Sequence, residues 1–425
     1  MNLFRWTTTL ALAAVAALML AACGGGADRT KAQVRLVNAS SYAGLDLRVD
    51  NELRQGGVSP GNSATYVEAD PGKAFTLHNA GASTALLNFT PSISARRHFT
   101  VLAYGPLGAL KQLVLDDNTG APDTNRALLR VVNAAPDAGA LDVYLTGTDE
   151  TLAASVPQQA GAAVDAVGSF FTINSGSYRL RVTAAGSKTD LRLDVPVLAL
   201  GSREVATLVI SPALGGVLVQ GLLLSQQGAI TAQAPTQARV RVASGLTEGG
   251  IASLRVGGTA VFANVTAPAV TGYTLVPAGA QATVVTVNGS TLPSRPQELV
   301  VGADYTVLVY GSPATAEVAW VRDDNTLPTD RARAKLRLVN GVLGLAGPLS
   351  MSADFVPVAD SVAPGAASPY SLVDATTTGR LAVTAAGAAQ PLFSPTELTF
   401  SAAANYTVFL VGSPAAPVGI VRRDR

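Results

Sequence analysis

The sequence predicts an all-β protein built from four tandem immunoglobulin-like antiparallel β-sandwich domains. Three observations lead to this prediction. The chain is rich in turn formers, with 41 glycines and 24 prolines among 425 residues. It carries a recurring internal motif, which is typical of repeated structural units. Within each repeat, apolar and polar residues alternate with a period of two, as they do on strands that bury one face.

The internal repeat divides the chain into four units. Each unit opens on a strand motif with a central arginine, at 34–38, 129–133, 240–244 and 336–340. A second motif closes the units, at 99–105, 305–311 and 406–412, with a degenerate copy at 205–210. The first and third units end in Asp-Asp-Asn-Thr, offset by 207 residues, which indicates duplication of a two-domain block. We therefore predict domains at 32–126, 127–236, 237–332 and 333–425, each long enough to bury a core.

The strands within these units follow from local patterns. Alternation predicts half-buried strands at 45–49, 141–146 and 178–183, whereas 305–310 is apolar on both faces and is predicted to be central. Span 205–224 is apolar enough for a membrane helix, but Pro212 and Gly215-Gly216 favour two strands around a turn. Tight turns that need a positive φ are predicted just before core strands, at Gly72, Gly176, Gly279 and Gly379.

The N-terminal residues predict export and a lipid anchor. Arg5 precedes an apolar stretch at 10–20, which is typical of a secretory signal. The sequence Leu-Ala-Ala-Cys at 20–23 resembles the lipobox of bacterial lipoproteins. The resemblance implies a signal peptide at 1–22, acylation of Cys23 with palmitate-type chains, and a flexible tether at 23–31. Because Gly24 follows the cysteine, it also implies the outer membrane of a Gram-negative bacterium, facing the periplasm or the exterior.

Cys23 is the only cysteine, so no disulfide can form within the chain and packed cores must hold the fold. The second unit opens on Leu-Arg-Val-Val-Asn-Ala-Ala-Pro-Asp at 129–137, followed by Leu-Asp-Val-Tyr at 141–144. This opening resembles domain-of-unknown-function family 4397, found in tandem in bacterial secreted and surface proteins. The late Tyr-Thr-Val strand and the Asp-Asp ending resemble it too, although Gln226-Gln227 replaces Asp-Asp in the second unit. The family implies no reaction.

Charge and histidine content argue against several function classes. Lys and Arg total 30 against 29 for Asp and Glu, so no basic surface for nucleic acid is expected. His78 and His98 are the only histidines, and no zinc-ligand spacing surrounds them. His78 lies on the strand face opposite Phe75 and Leu77 and is predicted to be solvated. His98 is predicted to lie on the surface at a strand entrance, and no cofactor is expected.

Two motifs carry weaker hypotheses. Gly-Val-Ser-Pro-Gly at 57–61 matches the hydrolase elbow around Ser59, but that motif needs a helix after it and a turn is predicted instead. Asp116, Asp117, Asp323 and Asp324 lie at predicted domain junctions, where oxygen ligands are candidates for Ca²⁺. The alternative is that these residues form turns and cap backbone N–H groups. Both interpretations remain open from the sequence.

Taken together, the residues predict a membrane-anchored envelope lipoprotein that is a non-catalytic binding or adhesion/spacer module. Its partner would be the membrane, through Cys23, and an unidentified protein or glycan. The alternative is an accessory protein or hydrolase acting on cell-envelope polysaccharide. Trp320 is predicted to pack on a sheet, with a binding surface as its alternative role. The four repeated arginines are predicted to snorkel or pair across strands, namely Arg35, Arg130, Arg241 and Arg337.

Overall fold

The computed structural model describes residues 29–293 and 295–425. The predicted signal peptide and Cys23 lie outside these ranges. Within them the protein is nearly all strand, which confirms the predicted fold class. The helical elements of the described chain are two single 3-10 turns, Leu152–Ala154 and Pro313–Thr315. Among these residues no helix is both long and apolar enough to cross a membrane.

The first half of the chain contains two sandwiches of paired sheets. Sandwich 1 consists of β1 (Ala32–Ser40), β2 (Leu45–Val49), β3 (Glu52–Val58), β4 (Val67–Ala69), β5 (Phe75–Asn79), β6 (Ala85–Phe89), β7 (His98–Gly105) and β8 (Lys111–Asp116). Sandwich 2 consists of β9 (Arg126–Asn133), β10 (Leu141–Thr146), β11 (Gln159–Ala162), β12 (Phe171–Asn174), β13 (Gly176–Ala184), β14 (Leu191–Leu200), β15 (Val205–Pro212), β16 (Val219–Ser225) and β17 (Ile230–Gln233).

The second half contains two more. Sandwich 3 consists of β18 (Gln237–Leu246), β19 (Ile251–Val256), β20 (Thr259–Thr266), β21 (Ala269–Val270), β22 (Thr274–Pro277), β23 (Gly279–Gln281), β24 (Thr283–Val287), β25 (Ser290–Thr291), β26 (Gln297–Leu299), β27 (Asp304–Gly311) and β28 (Glu317–Asp323). Sandwich 4 consists of β29 (Arg333–Gly341), β30 (Leu349–Ala353), β31 (Val356–Val362), β32 (Ser371–Asp374), β33 (Thr376–Gly379), β34 (Leu381–Ala385), β35 (Leu398–Phe400), β36 (Asn405–Ser413) and β37 (Ala416–Arg423).

The described chain forms two compact units. The first contains residues 29–38, 42–103 and 110–119, and the second contains 39–41, 104–109 and 120–425. Sandwiches 2, 3 and 4 therefore belong to one compact unit. The boundaries of the four predicted domains stay a prediction, because the described chain divides into two compact units and not into four.

In every sandwich, the sheet that contains the arginine strand, here called the main sheet, has the same strand order. In sandwich 1 it runs β4-β1-β7-β8, and in sandwich 2 it runs β12-β9-β15-β16 with β17 added at the edge. One detail differs from the antiparallel prediction: the central pair is parallel where β9 meets β15, β18 meets β27 and β29 meets β36. Parallel neighbours need a long crossover connection, and here the intervening strands of the opposite sheet supply it.

The alternation read from the sequence places one face of each strand in a core. Val34 and Leu36 of β1 are fully buried among the core residues of sandwich 1, and Leu129 and Val131 hold the same places in sandwich 2. Strand β27 is buried on both faces, because Val307 and Val309 lie in the core of sandwich 3 while Leu308 and Tyr310 pack against sandwich 4. The two-strand prediction for span 205–224 is confirmed by β15 and β16.

The predicted glycine turns are confirmed at three of four positions. Gly72, Gly176 and Gly279 have φ values of 80°, 149° and 86°. Gly379 is different, because its backbone is not left-handed. A Cβ there would lie 2.9 Å from the Phe400 ring, so close packing rather than a positive φ excludes a side chain.

The turn between β30 and β31 places a large side chain in an unfavourable conformation. Phe355 has a φ of 69° and is 82% exposed. Sandwich 1 has Asn51 at the corresponding turn, with φ 68°, and sandwich 3 has Gly258, with φ 80°. The left-handed region costs about 1–2 kcal/mol for a residue with a Cβ, and asparagine tolerates it best.

We therefore expect Phe355→Asn to raise the free energy of unfolding by about 1 kcal/mol. Chemical denaturation of the full chain measures the change. Phe355→Ala is the matched control, because it removes the exposed ring but keeps a residue that disfavours this φ. A stabilisation by alanine as large as that by asparagine would contradict the strain argument.

Candidate functional site

The four repeated arginines form the most regular polar feature of the described chain. Each donates its Nε to a threonine hydroxyl on the strand beside it in the main sheet. The distances are 2.8 Å for Arg35 to Thr100, 2.9 Å for Arg130 to Thr207, 2.8 Å for Arg241 to Thr306 and 3.0 Å for Arg337 to Thr407. The prediction that they pair across strands is confirmed. Snorkelling is wrong, because all four side chains belong to buried residues.

In sandwiches 3 and 4 the arginine of each sandwich binds an aspartate of the other, an arrangement here called the exchanged ion pairs. The Arg241 guanidinium of sandwich 3 donates to Asp424, which follows β37 of sandwich 4. The Arg337 guanidinium of sandwich 4 donates to Asp323 at the end of β28 in sandwich 3. All four side chains are at most 2% exposed. The result is a reciprocal pair of buried ion pairs that joins the two sandwiches.

Tyrosines complete this cluster. The Tyr273 hydroxyl donates to Asp323 over 2.6 Å, and its ring lies 4.6 Å from the Arg241 guanidinium. The Tyr370 ring lies 4.7 Å from Arg337. Aromatic faces attract cations most strongly when water is excluded. Each guanidinium is therefore held by a carboxylate, a threonine hydroxyl and an aromatic face.

The pKa values in this cluster depend on two opposing effects, the burial of each group and the charges beside it. Burial alone would raise the pKa of Asp323, but Arg337 and Arg241 outweigh it and hold the pKa below its ordinary value. Burial alone would lower the pKa of Arg241, but Tyr273, Asp424 and Asp323 raise it. Burial raises the pKa of Tyr273 well above its ordinary value. Asp323 is therefore an ionised partner of two cations and not a proton donor.

An apolar seam surrounds the ion pairs. Its buried members come from β18, β27, β29 and β36, and they are Ala243, Leu308, Tyr310, Val339, Phe409 and Val411. A Cβ on Gly245 would lie 2.8 Å from Val411, so the two sandwiches approach closely there. The seam excludes water, which strengthens the ion pairs and raises the cost of breaking one of them.

Sandwich 2 joins the same body through a glycine turn. The Gly215 N–H donates to Gly302 O over 2.8 Å, and the Asn325 N–H donates to Gly215 O over 3.2 Å. Gly216 has a φ of 82°, and a Cβ there would overlap the backbone of Thr326. The turn that argued against a membrane helix is thus a contact between sandwiches 2 and 3.

Asp137 and Arg425 close the joint on its other side. The Asp137 carboxylate accepts from the Leu327 N–H over 2.9 Å and pairs with Arg331. Arg425 donates to the carbonyls of Gly216, Asp137 and Asn325. Burial lowers the pKa of Arg425 to about 10, so this side chain remains a cation at neutral pH.

The structure separates the four aspartates that were calcium candidates. Asp117 is buried and accepts from Tyr66 and Thr100, as Asp323 accepts from Tyr273 and Thr306. These two are 206 residues apart, so the Asp-Asp pairs that match at an offset of 207 are shifted by one position in space. Asp116 pairs with Arg97, and Asp324 pairs with Lys335 over 2.8 Å.

Within the described ranges, no group of three or more acidic, histidine or cysteine side chains is placed to hold a metal. Since the four carboxylates already accept from protein donors, we expect isothermal titration of the purified chain with Ca²⁺ to give no saturable heat. Saturable heat that Asp324→Ala abolishes, and that the exposed-site variant Asp354→Ala retains, would support the calcium hypothesis instead.

The histidines and Ser59 occupy unremarkable chemical surroundings. The prediction that His78 is solvated is wrong, because it is 5% exposed and its Nε2 lies 2.9 Å from the Thr76 hydroxyl. Both faces of β5 are covered in sandwich 1. His98 begins β7, is half-buried, and contacts Tyr66 edge-on at 5.0 Å between ring centroids. Ser59 lies in an exposed turn after β3, and no helix follows it.

Trp320 packs as predicted. It is half-buried on β28 against the core of sandwich 3, with its ring centroid 6.2 Å from that of Tyr305. A cavity of about 190 Å³ lies beside it, lined by Val285 and Val318 among others. A larger cavity of about 400 Å³ lies beside β8 in sandwich 1.

The sequence model of the domain of unknown function DUF4397 matches residues 32–144 and 238–347, together more than half of the chain. The chain belongs to this family. Each match runs through one sandwich and into the arginine strand of the next. The second DUF4397 segment therefore contains both Asp323 and Arg337, one of the two exchanged ion pairs. No curated protein matches the chain in sequence.

Several solved structures share a distant likeness with this DUF4397 protein. A protein from Bacteroides uniformis, described as a candidate cell adhesion protein, is 14% identical, with coverage of 47% of this chain and 97% of that chain and a TM-score of 0.21. The tip fimbrial protein Mfa3 from Porphyromonas gingivalis is 9% identical, with coverage of 48% and 100% and a TM-score of 0.20. The Bacillus anthracis TIE protein is 8% identical, with coverage of 87% and 66% and a TM-score of 0.16. At such TM-scores the likeness carries no argument about function.

Proposed function

We propose that this DUF4397 protein is a lipid-anchored envelope protein that acts as a non-catalytic binding or adhesion module. One observation carries the proposal: the buried polar residues of sandwiches 3 and 4 bind one another across the joint. Arg241 and Arg337 bind Asp424 and Asp323, and each guanidinium lies against a tyrosine ring. A catalytic site needs such groups to face a substrate, whereas here they hold two sandwiches together.

Sandwiches that are fixed to one another can present their loops and sheet edges to a partner in a constant arrangement. Loops and sheet edges supply the contacts of such proteins, while the scaffold fixes their positions. The apolar seam and the exchanged ion pairs fix sandwich 4 on sandwich 3, and Gly216 and Asp137 fix sandwich 2 on both. The partner would be a protein or a glycan on or near the cell surface.

The lipid anchor is proposed from the sequence alone, because Cys23 lies outside the described residues. Acyl chains bind a membrane with about 0.8 kcal/mol per buried methylene, and two chains suffice for stable attachment. We expect Cys23→Ser to move the protein from the membrane pellet to the soluble fraction after export. Ser59→Ala is the control and should stay in the pellet. Unchanged partition of the Cys23→Ser protein would contradict the anchor.

Binding is tested on whole cells. Cells that carry the anchored protein should bind an envelope or host-surface preparation more strongly than cells with a deletion of its gene. Purified Cys23→Ser protein, added in excess, should compete for that binding. Equal binding by both cell types would contradict a binding role.

A further inference from the structure

Trp320 stands at a position where the fold does not need an aromatic ring. Its partner across the ladder, Val307, follows the threonine that holds the repeated arginine. The same ladder position holds Leu223 in sandwich 2 and Val421 in sandwich 4, and the same register places Val114 there in sandwich 1. Three sandwiches therefore pack an aliphatic side chain where sandwich 3 has its tryptophan.

The Trp320 ring is only partly covered by its own sandwich. It packs against Tyr305 with 6.2 Å between ring centroids. It is half-buried, and it forms a wall of the cavity of about 190 Å³ together with Val285 and Val318. The rest of the ring is therefore open to a ligand that enters this cavity.

Polar groups converge on the same cavity. Gln297 at the start of β26 is half-buried and lines it, as do the exposed residues Pro293 and Arg295. The Arg295 carbonyl accepts from the Thr283 hydroxyl over 3.1 Å, which fixes the backbone there. Within the described ranges the Arg295 guanidinium has no acceptor. The cavity thus combines an aromatic wall, an amide and an unpaired cation.

The chemistry of these walls selects a class of ligand. A guanidinium binds a carboxylate with two parallel N–H donors. The negative face of an aromatic ring attracts the weakly positive C–H groups of a saturated ring. An amide both donates to and accepts from hydroxyl groups. A saturated ring that carries hydroxyls and a carboxylate, which is an acidic sugar, matches all three walls.

The size of the cavity favours a single sugar residue over a peptide. Peptides are recognised along grooves or sheet edges that span several residues, and sites for drug-sized ligands measure about 300–1,000 Å³. A cavity of about 190 Å³ accepts one ring. The terminal residue of a glycan presents one ring, while the remainder of the glycan stays outside.

The larger cavity of sandwich 1 lacks this combination. Val114 takes the place of the tryptophan, and the charged lining residue is Asp116, which pairs with Arg97. A carboxylate on the cavity wall would repel an acidic sugar.

We propose that the cavity beside Trp320 binds a terminal sugar residue that carries a carboxylate, a hexuronic or a sialic acid. The sugar ring lies against the Trp320 ring, its carboxylate pairs with Arg295, and a hydroxyl bonds to the Gln297 amide. This inference rests on the proposed binding function and names its class of partner.

The test is calorimetric titration of the purified Cys23→Ser chain with methyl glucuronide and with methyl glucoside, which has a hydroxymethyl group in place of the carboxylate. We expect saturable binding of the glucuronide and at least about tenfold weaker binding of the glucoside, a difference of about 1.4 kcal/mol. The methyl glycoside of sialic acid is titrated in parallel, and the tighter ligand identifies the acid. Trp6 and Trp320 are the only tryptophans, so the fluorescence of a Trp6→Phe chain should change on binding.

Two variants test the walls separately. Arg295→Gln should lower the affinity for the glucuronide to that for the glucoside, because only the charge-assisted contact is lost. Arg255→Gln is the matched control and should bind normally, since Arg255 is an exposed arginine of the same sandwich that does not line the cavity. Trp320→Val installs the residue of sandwich 4 and should weaken binding of both sugars at least about tenfold.

Absence of saturable binding of either acid, or unchanged binding by the Arg295→Gln protein, would overturn the inference. So would competition by acetate as strong as that by the glucuronide, which would show that the carboxylate alone is bound. Cells that still bind through the anchored protein while no acidic sugar binds would leave the proposed function standing. Loss of both results would overturn both.

Discussion

Replacing Asp323 by alanine is expected to lower the free energy of unfolding of the second compact unit by about 3–5 kcal/mol. The change leaves Arg337 and Arg241 buried with one carboxylate between them, and it removes the acceptor of Tyr273 and Thr306. An unpaired buried charge is among the most destabilising changes known in proteins. Calorimetry of the full chain measures it as a lower-temperature transition.

Asp374→Ala is the control for this experiment. Asp374 pairs with Arg333 over 3.1 Å, but its side chain is 90% exposed. Exposed pairs contribute little, so the transition should not move. Equal effects of the two substitutions would show that burial of the Asp323 pair has no consequence for stability.

The destabilisation should also depend on pH with a defined sign. The pKa of Asp323 in the folded protein is below its ordinary value of 3.8. Its contribution to stability is therefore fully present above about pH 4 and is lost as the pH falls through the folded-state pKa. The stability difference between the wild type and Asp323→Asn should shrink below pH 4. A difference that grows in acid would contradict an ionised Asp323.

Gly216→Ala should be the second most damaging substitution, with a loss of about 2–4 kcal/mol. The residue has a φ of 82°, and its new Cβ would overlap the Thr326 backbone. The strain and the overlap act together on the joint between sandwiches 2 and 3. We expect faster cleavage in and beside the linker at 234–236 by a protease of broad specificity.

Gly186→Ala separates the two causes. Gly186 has a φ of 75°, but nothing lies within 4 Å of a Cβ there. It should lose only the backbone cost of about 1–2 kcal/mol and leave linker cleavage unchanged. If both variants expose the linker equally, the Gly216 contact does not hold the joint.

The sequence was a good guide to what is local or repeated. Alternation at 45–49 and 141–146 predicted β2 and β10 because each residue's face depends only on its strand. The repeated arginines marked equivalent strands, and their pairing across strands followed. Gly72 and Gly279 were predictable because turn chemistry is local as well.

The sequence could not reveal contacts between repeats. Asp323 belongs to one sandwich and binds the arginine of the next, yet in sequence it looks identical to a turn-forming aspartate. The 207-residue offset makes Asp116 the equivalent of Asp323 in the sequence. In the fold the equivalent residue is Asp117, because it accepts hydrogen bonds from the same kinds of residue. Spacing along the chain does not reveal this shift of one residue. Burial of His78 and the ring contact of Gly379 also depend on residues far away in sequence.

Arg337 and Asp323 stabilise the protein by binding each other across two sandwiches. A double-mutant cycle with Arg337→Met and Asp323→Leu, read by unfolding of the full chain, tests it most directly. We expect a coupling free energy of about 1.5–3 kcal/mol between the two sites. Effects that add to within about 0.5 kcal/mol would contradict it.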